Sequence, residues 1–253
     1  MADSASPSGQ PSGDADRVSS RAEPATGWRA WVGKYTRDWF AVVAIGTLAL
    51  LAFAKVGEDV FEHESGTFDG AVQTWVLAHE YPALDTFFLW VTRLCSPGPL
   101  SALAIAGAAF LWYRGDRRDA AGVLLAPTVA VTLFVLVKQI YARPRPDGLG
   151  GAVPSSYSFP SGHATASAAI CCTLAYVYWR EGFVSGRVAL LFAIILPLVV
   201  GSSRVYLNVH WATDVLGGWS AGLLIAALSA FLYDRNNRRR AAMVRSNVPP
   251  AAP

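Results

Sequence analysis

Long apolar runs are the feature of this sequence that most constrains its fold. A helix that crosses a bilayer needs about 20 mostly apolar residues. Runs of this kind cover residues 39–56, 99–113, 120–141, 162–179, 188–202 and 212–233. The second run begins earlier if the segment 84–94 is part of it. Spanning helices satisfy their own backbone hydrogen bonds and pack together in the membrane. We therefore expect an all-α, polytopic membrane helix bundle with six transmembrane helices.

Composition supports this interpretation and excludes several other classes of protein. Only 15% of the residues are charged and 53% are hydrophobic, whereas a soluble domain carries about 25% charged residues. The net charge of +3 is small and the arginines form no single basic face, so we expect no nucleic-acid partner. Three cysteines without a C-x2-C pair predict neither a disulfide scaffold nor a zinc site.

The two ends of the chain differ from its middle. Residues 1–27 are mainly Ser, Pro, Gly, Asp and Ala, and 241–253 are similar. Segments with so few large apolar side chains cannot offset the entropy of ordering. We expect disordered cytoplasmic tails at 1–27 and 241–253, on either side of a six-helix membrane domain at 28–240.

The distribution of charge predicts the orientation in the membrane. With six spans both termini lie on one side, and the segments on that side carry most of the arginines, for example Arg114, Arg117, Arg118 and Arg235. The first loop on the other side, 57–98, is acidic. Basic residues are enriched on the cytoplasmic side of membrane proteins. The termini are therefore expected in the cytoplasm.

The first outer loop contains a helical pattern. Phe68, Val72, Trp75, Val76 and His79 recur at helical spacing. A short amphipathic helix in the membrane interface explains this pattern. An ordinary helix packed on the bundle explains it equally well.

Polar residues that the apolar runs do not explain form three clusters at the outer ends of the last four spans. The first contains Lys138, Arg143 and Arg145. Pro144 and Pro146 break the helix, so that Arg145 can fold back beside Lys138. Cations held together favour an anion. A basic cap whose side chains reach the interface is the alternative.

The second cluster, Pro160-Ser161-Gly162-His163, opens the fourth span. Ser161 is a typical N-cap, and Gly162 permits close approach of a ligand to the backbone. Free N–H groups at a helix N-terminus bind anions. A capped helix start with an incidental histidine explains the same four residues.

The third cluster is Ser203-Arg204, followed by His210 and Asp214. The spacing of His210 and Asp214 places them on one helix face. A carboxylate bonded to one imidazole nitrogen leaves the other free to attack or to accept a proton. The alternative is a buried polar pair that joins helices.

Together the clusters resemble the type 2 phosphatidic acid phosphatase superfamily of membrane lipid phosphatases, which is related to acid phosphatases and vanadium haloperoxidases. The signature of that family is K-x6-R-P, then P-S-G-H, then S-R-x5-H-x3-D. Every defining position is present, in order and at the right spacing. Asn208 and Trp211 depart from the usual residues between defining positions, which bears on local packing or substrate choice.

The resemblance implies a mechanism. His210, oriented by Asp214, attacks phosphorus and forms a phosphohistidine, while His163 protonates the leaving oxygen and then activates water. The residues implied in binding the phosphate oxygens are Lys138, Arg145, Ser161, Gly162 and Arg204. With these cations in place, no metal and no other cofactor is expected. Arg143 lies outside the motif, and we expect it to be a peripheral phosphate or headgroup contact.

We therefore expect an integral membrane, metal-independent phosphatase, active on a lipid phosphate monoester or diphosphate at the periplasmic or exterior face. Phosphatidate, phosphatidylglycerophosphate and a polyprenyl diphosphate such as undecaprenyl diphosphate all fit, because the motifs contact only the phosphate. A lipid phosphotransferase and a non-enzymatic lipid-phosphate binder or transporter are the alternative functions. No oligomeric state is predicted.

Overall fold

The structure, a computed structural model, describes residues 27–146 and 156–246 of the 253-residue chain. This part of the chain consists of α-helices and contains no strand. The helices are α1 Gly27–Phe61, α2 Gly66–Ala78, α3 Pro82–Leu94, α4 Pro97–Tyr113, α5 Arg117–Tyr141, α6 Gly162–Arg180, α7 Gly186–Tyr206 and α8 Ala212–Ser246. The expected all-α membrane fold is confirmed, and the residues from Trp39 onward form one compact unit.

Among the described residues, four helices are long and apolar enough to cross a membrane. They are Trp39–Phe61, Arg117–Tyr141, Gly186–Tyr206 and Ala212–Arg239. The pair α3 and α4, bent by 48° at its break, makes a fifth if it forms one span. The expected second span therefore corresponds to α4, with 84–94 in the separate helix α3.

Helix α6 covers the expected fourth span but is less apolar than the others. Its first half contains Gly, His, Thr and Ser, and most of its side chains are buried against α4, α5, α7 and α8. A helix surrounded by protein does not need the apolar surface that lipid contact requires. The six-span topology remains a prediction.

Small residues bring α6 and α8 close together. A Cβ atom at Gly222 would lie 2.5 Å from the Cβ of Ala168 and 2.6 Å from the carbonyl oxygen of Thr165. Small residues at such contacts let membrane helices approach closely. The N-terminal ends of both helices meet, since the Ser161 N–H donates to the Asp214 carbonyl at 3.0 Å. Two of the three polar clusters are therefore joined.

Helix α2 occupies the expected helical part of the outer loop. Val76 is buried against Tyr206 and Leu207 at the end of α7, whereas Phe68 and Trp75 are 50% and 62% exposed. One face thus packs on the bundle, as in the second interpretation of the pattern. A location in the membrane interface stays a prediction.

The expected tails lie largely outside the described residues. Helix α8 continues to Ser246, into the segment expected as the C-terminal tail. Helix α1 begins at Gly27, where the N-terminal tail was expected to end.

Candidate active site

His210 and Asp214 form a buried pair at the start of α8. Asp214 lies in the first turn of α8, and His210 in the short connection that follows α7. The His210 Nδ1 atom is 3.2 Å from Asp214 Oδ2, and the two residues are 3% and 0% exposed. Asp214 Oδ2 also accepts the Trp211 N–H at 2.9 Å and the Ser158 hydroxyl. The carboxylate is therefore held in one orientation.

The contacts of the imidazole define its tautomer. The Arg145 Nη1 atom lies 3.0 Å from His210 Nε2. A guanidinium can only donate, so Nε2 accepts and Nδ1 carries the hydrogen that is donated to Asp214. The lone pair of Nε2 consequently faces a cation, where an anion would be bound.

Burial lowers the pKa of His210 to about 4, although the neighbouring Asp214 carboxylate opposes this shift. The positive charges of Arg145 and Lys138 lower this pKa further. The imidazole is therefore neutral at physiological pH. A neutral imidazole is the form that can act as a nucleophile.

Lys138 and Arg145 both bind the segment that precedes α6. Lys138 Nζ donates to the carbonyl oxygens of Tyr157 and Ser158, the latter at 3.1 Å. Arg145 Nε donates to the Ser156 carbonyl at 2.7 Å. The chain can return in this way because α5 ends at Tyr141 and its C-cap, Ala142, has a left-handed φ of 44°. The structure thus brings the two cations together, as the prolines predicted.

The start of α6 carries the second cluster. Ser161 occupies the N-cap position, but its hydroxyl makes no capping hydrogen bond. Within the described residues, Ser161 Oγ and Arg204 Nε are buried without a hydrogen-bond partner. Buried donors are rarely left unsatisfied. Both atoms can therefore donate a hydrogen bond to an anion.

Thr92 joins His163 to Arg204, a contact that no pattern in the sequence indicated. Arg204 Nη1 donates to the Thr92 hydroxyl, and His163 hydrogen-bonds the Thr92 backbone. Thr92 is one of two threonines in the helix α3, and no motif includes it. His163 is also close enough to His210 for the two imidazoles to interact electrostatically. The structure therefore brings the candidate catalytic and phosphate-binding residues together around one site.

The expectation for Arg143 was wrong. Its guanidinium is held by Asp69 and Asp214, at 2.6 and 2.7 Å, and by the hydroxyls of Ser65 and Thr213. The four terminal N–H bonds therefore point at protein oxygens and not at a headgroup. Asp69, 74 residues away in the sequence, was also missed, because it resembled any other residue of the acidic loop.

The two residues that depart from the family signature contact other segments of the chain. Asn208 has a left-handed φ of 51°, and its side-chain oxygen accepts from Gln73 of α2 at 3.1 Å. The Trp211 indole donates to the Pro144 carbonyl at 3.0 Å. Both residues therefore have roles in local packing.

An apolar groove of about 540 Å³ adjoins the site, between α2, the start of α3, α7 and α8. Several lining residues are close in sequence to residues of the site, since Val205 and Tyr206 follow Arg204, and Phe88 precedes Thr92 by one turn. The lining residues are Phe68, Val72, Trp75, Val76, His79, Tyr81, Leu84, Phe88, Ser202, Val205, Tyr206, Ala212, Val215, Leu216 and Trp219. In the part of the chain that the structure describes, no three His, Cys, Asp or Glu side chains are grouped as metal ligands.

Comparison with known proteins places these features in a family. The sequence profile of the PAP2 superfamily matches residues 119–238. Phosphatidylglycerophosphatase B of Bacillus subtilis is 34% identical over 161 residues, which are 62% of this chain and 79% of that protein. An undecaprenyl-diphosphatase of Sulfolobus acidocaldarius is 30% identical over 48% of this chain and 59% of its own length.

A solved structure agrees with the sequence matches. The crystal structure of a transmembrane PAP2 type phosphatidylglycerolphosphate phosphatase from Bacillus subtilis superimposes with a TM-score of 0.64 at 28% identity. The match covers 77% of this chain and 96% of that one. The chain is therefore an integral membrane phosphatase that belongs to the PAP2 superfamily.

Proposed function

We propose that this protein hydrolyses the phosphate of a lipid phosphate or lipid diphosphate through a phosphohistidine at His210. The observation that carries the proposal is the environment of the His210 imidazole. Its Nδ1–H is directed at Asp214 and its Nε2 lone pair at Arg145. This arrangement suits attack of Nε2 on a phosphorus atom whose oxygens are bound by Arg145.

The phosphate oxygens are bound by the surrounding donors. Charge on these oxygens must be stabilised in the transition state, and fixed donors in a water-poor site do this best. Arg204 Nε and Ser161 Oγ, both buried without a hydrogen-bond partner, support this role. The donors assigned to the phosphate are Lys138, Arg145, Arg204, the Ser161 hydroxyl and the Gly162 N–H.

His163 is the general acid and base. In the first step the Nε2–P bond of His210 forms, the bond from phosphorus to the lipid oxygen breaks, and His163 gives its proton to that oxygen. In the second step His163 takes a proton from water, which attacks phosphorus and releases phosphate from His210. The position of His163 beside Thr92 and Arg204 supports this assignment. The cations make the reaction metal-independent.

The apolar groove and the named relatives support a lipid substrate. The groove is lined by residues next in sequence to Arg204 and Asp214, so an apolar tail bound there would lie near the proposed phosphate position. Relatives include a phosphatidylglycerophosphatase and an undecaprenyl-diphosphatase. We assign a lipid phosphate or diphosphate, of which phosphatidate, phosphatidylglycerophosphate and polyprenyl diphosphate are the substrates to compare.

The proposal includes a topology. Residues 28–240 form the phosphatase domain with six spans, of which α6 is the fourth, and the segments 1–27 and 241–253 are cytoplasmic tails. The termini are cytoplasmic and the site faces the periplasm or exterior. A lipid reaches it sideways, because each CH₂ group that leaves the bilayer costs about 0.8 kcal/mol.

Phosphate release from purified protein in detergent tests this function. The three lipid classes are assayed side by side in the presence of a chelator, with labelled phosphate to detect transfer. We expect inorganic phosphate from at least one lipid, at the rate seen without chelator. Loss of activity on chelation would refute the metal-free mechanism. Transfer of the labelled phosphate to an acceptor other than water would show a phosphotransferase. Binding of the lipid without phosphate release would show a non-enzymatic binder.

A further inference from the structure

One guanidinium lies between two buried carboxylates that belong to distant helices. Arg143 Nη2 donates to Asp69 Oδ2 on α2 at 2.6 Å, and Nη1 donates to Asp214 Oδ1 on α8 at 2.7 Å. The Ser65 and Thr213 hydroxyls accept the remaining terminal N–H bonds, at 3.0 and 2.8 Å. The side chains of Arg143, Asp69 and Asp214 are 13%, 2% and 0% exposed. We call this array the Asp69–Arg143–Asp214 bridge.

The bridge compensates charges that would otherwise be costly to bury. A buried carboxylate without a counterion is strongly unfavourable. The planar fork of an arginine can serve two carboxylates at once, which a lysine ammonium cannot do with the same geometry. Asp69 also accepts the Thr213 N–H at 2.9 Å and the Thr213 hydroxyl at 2.6 Å. Helix α2 is thereby fixed to the first turn of α8.

In the bridge, the two oxygens of the Asp214 carboxylate have different partners. Oδ1 accepts from Arg143, while Oδ2 faces His210 Nδ1 at 3.2 Å and accepts from the Trp211 N–H at 2.9 Å. A carboxylate that has partners on both oxygens cannot rotate about its Cβ–Cγ bond without losing them. Arg143 thus holds the plane of the group that orients the imidazole.

We propose that Asp69 and Arg143 are positioning residues of the reaction, which act on His210 through Asp214. This inference rests on the proposed role of His210 as the nucleophile. Helix α2, from the outer loop, then supplies a charge on which the catalytic pair depends. Arg143 does not contact the substrate, so its loss changes kcat and leaves substrate binding almost intact.

Replacement of Asp69 tests the bridge with little change in shape. Asp69→Asn keeps the size of the side chain and an oxygen for the Thr213 N–H, but removes the negative charge. In metal sites, removal of an outer group that orients a ligating histidine costs about 10–100-fold in metal affinity or activity. We expect a similar fall in kcat, with KM within about threefold of the wild type.

Two further variants separate charge from helix docking. Arg143→Lys keeps a buried cation, so its kcat should lie between those of the wild type and of Arg143→Ala. It should not reach the wild-type value, because an ammonium cannot bind two carboxylates with the geometry of a guanidinium. Gln73→Leu is the matched control, since it cuts the Gln73–Asn208 contact between α2 and the His210 loop without touching Asp214. We expect its kcat to stay within about twofold of the wild type.

The outcomes distinguish this inference from the function on which it rests. An inactive wild type, or an active His210→Ala, would refute the proposed function. With an active wild type, unchanged kcat in Asp69→Asn or in Arg143→Lys would overturn the bridge. A rise in KM without a fall in kcat would indicate that Arg143 contacts the substrate. A fall in kcat of the same size in Gln73→Leu would indicate that the effect comes from the docking of α2 in general and not from the bridge. If Asp69→Asn fails to fold, Arg143→Lys decides.

Discussion

Among the individual residues, one imidazole and one carboxylate determine what the site can do. Asp214 is completely buried and His210 is 3% exposed, so their interaction is little screened by water. Asp214 stabilises the tautomer of His210 that carries its hydrogen on Nδ1, and the Nε2 lone pair points towards Arg145. Changes to either residue should therefore alter turnover more than substrate binding.

Asp214→Asn should greatly reduce activity without abolishing it. An asparagine in place of the aspartate favours the wrong imidazole tautomer, which costs about 10⁴-fold in a related arrangement. The Nε2 atom itself remains, so that a small residual rate should persist above that of His210→Ala. Steady-state kinetics of the two variants, under identical conditions, measure the difference. Equal, complete loss in both would show that Asp214 does more than orient the imidazole.

The low pKa of His210 predicts the pH dependence of the reaction. A nucleophilic imidazole works in its neutral form, which is lost as the pH falls through the pKa. With burial lowering that pKa to about 4, protonation of His210 should not limit kcat/KM between pH 5 and 8. The measurement is a pH profile corrected for the ionisation of the substrate phosphate. The prediction would be contradicted if kcat/KM fell on the acid side with a pKa near the ordinary histidine value of about 6.5, and if Asp214→Asn shifted that pKa.

Among the helices, α2 and α3 determine how the site meets the bilayer. Trp75 is 62% exposed and lines the apolar groove together with Phe88. The Phe88 ring packs on Tyr206, with 4.7 Å between their centroids, so the groove wall is continuous with α7. A lipid tail in this groove would be shielded from water while its phosphate lies at the cations.

Truncation of the groove wall should weaken activity only towards long-chain substrates. In Trp75→Ala and Phe88→Ala, loss of apolar contact at about 25 cal/mol per Å² predicts a decrease in kcat/KM of roughly tenfold for long-chain lipids. A short, water-soluble phosphate ester should be hydrolysed as before. Phe87→Ala is the matched control, because Phe87 is 51% exposed and is not one of the described lining residues. Equal loss on both substrates would indicate a folding defect.

The sequence predicted most elements of the fold, because long apolar runs leave few alternatives in a membrane. It also indicated which residues meet at the site, since Lys138, His163 and His210 each belong to one of the three motifs of a known signature. It could not predict Asp69 or Thr92, which come from helices of the outer region. Their partners lie 74 and 112 residues away, and such contacts depend on packing that no local pattern encodes.

The helix α6 shows a second limit of local patterns. Span prediction assumes that a helix contacts lipid, whereas most side chains of α6 contact protein. Its polar residues and the glycines of α8 are explained by close packing in the bundle centre. Hydropathy alone therefore identifies the outer helices of this bundle better than the central one.

For the whole molecule, the proposed orientation can be tested by labelling in intact cells. In a variant without Cys95, Cys171 and Cys172, a membrane-impermeant thiol reagent should modify a cysteine at position 147 and not one at position 118. Asp147 lies outside the described residues, between the first two motifs, and Arg118 is exposed near the start of α5. The opposite labelling would place the site in the cytoplasm.

Identification of the phosphorylated residue decides whether the site works as proposed. The enzyme is mixed with a labelled lipid phosphate, quenched within the first turnover under conditions that preserve phosphohistidine, and analysed by peptide mass spectrometry. We expect the phosphoryl group on His210 in the wild type and none in His210→Ala, which should also release no phosphate. A phosphoenzyme that still forms in His210→Ala, or a label on any other residue of the wild type, would contradict His210 as the nucleophile.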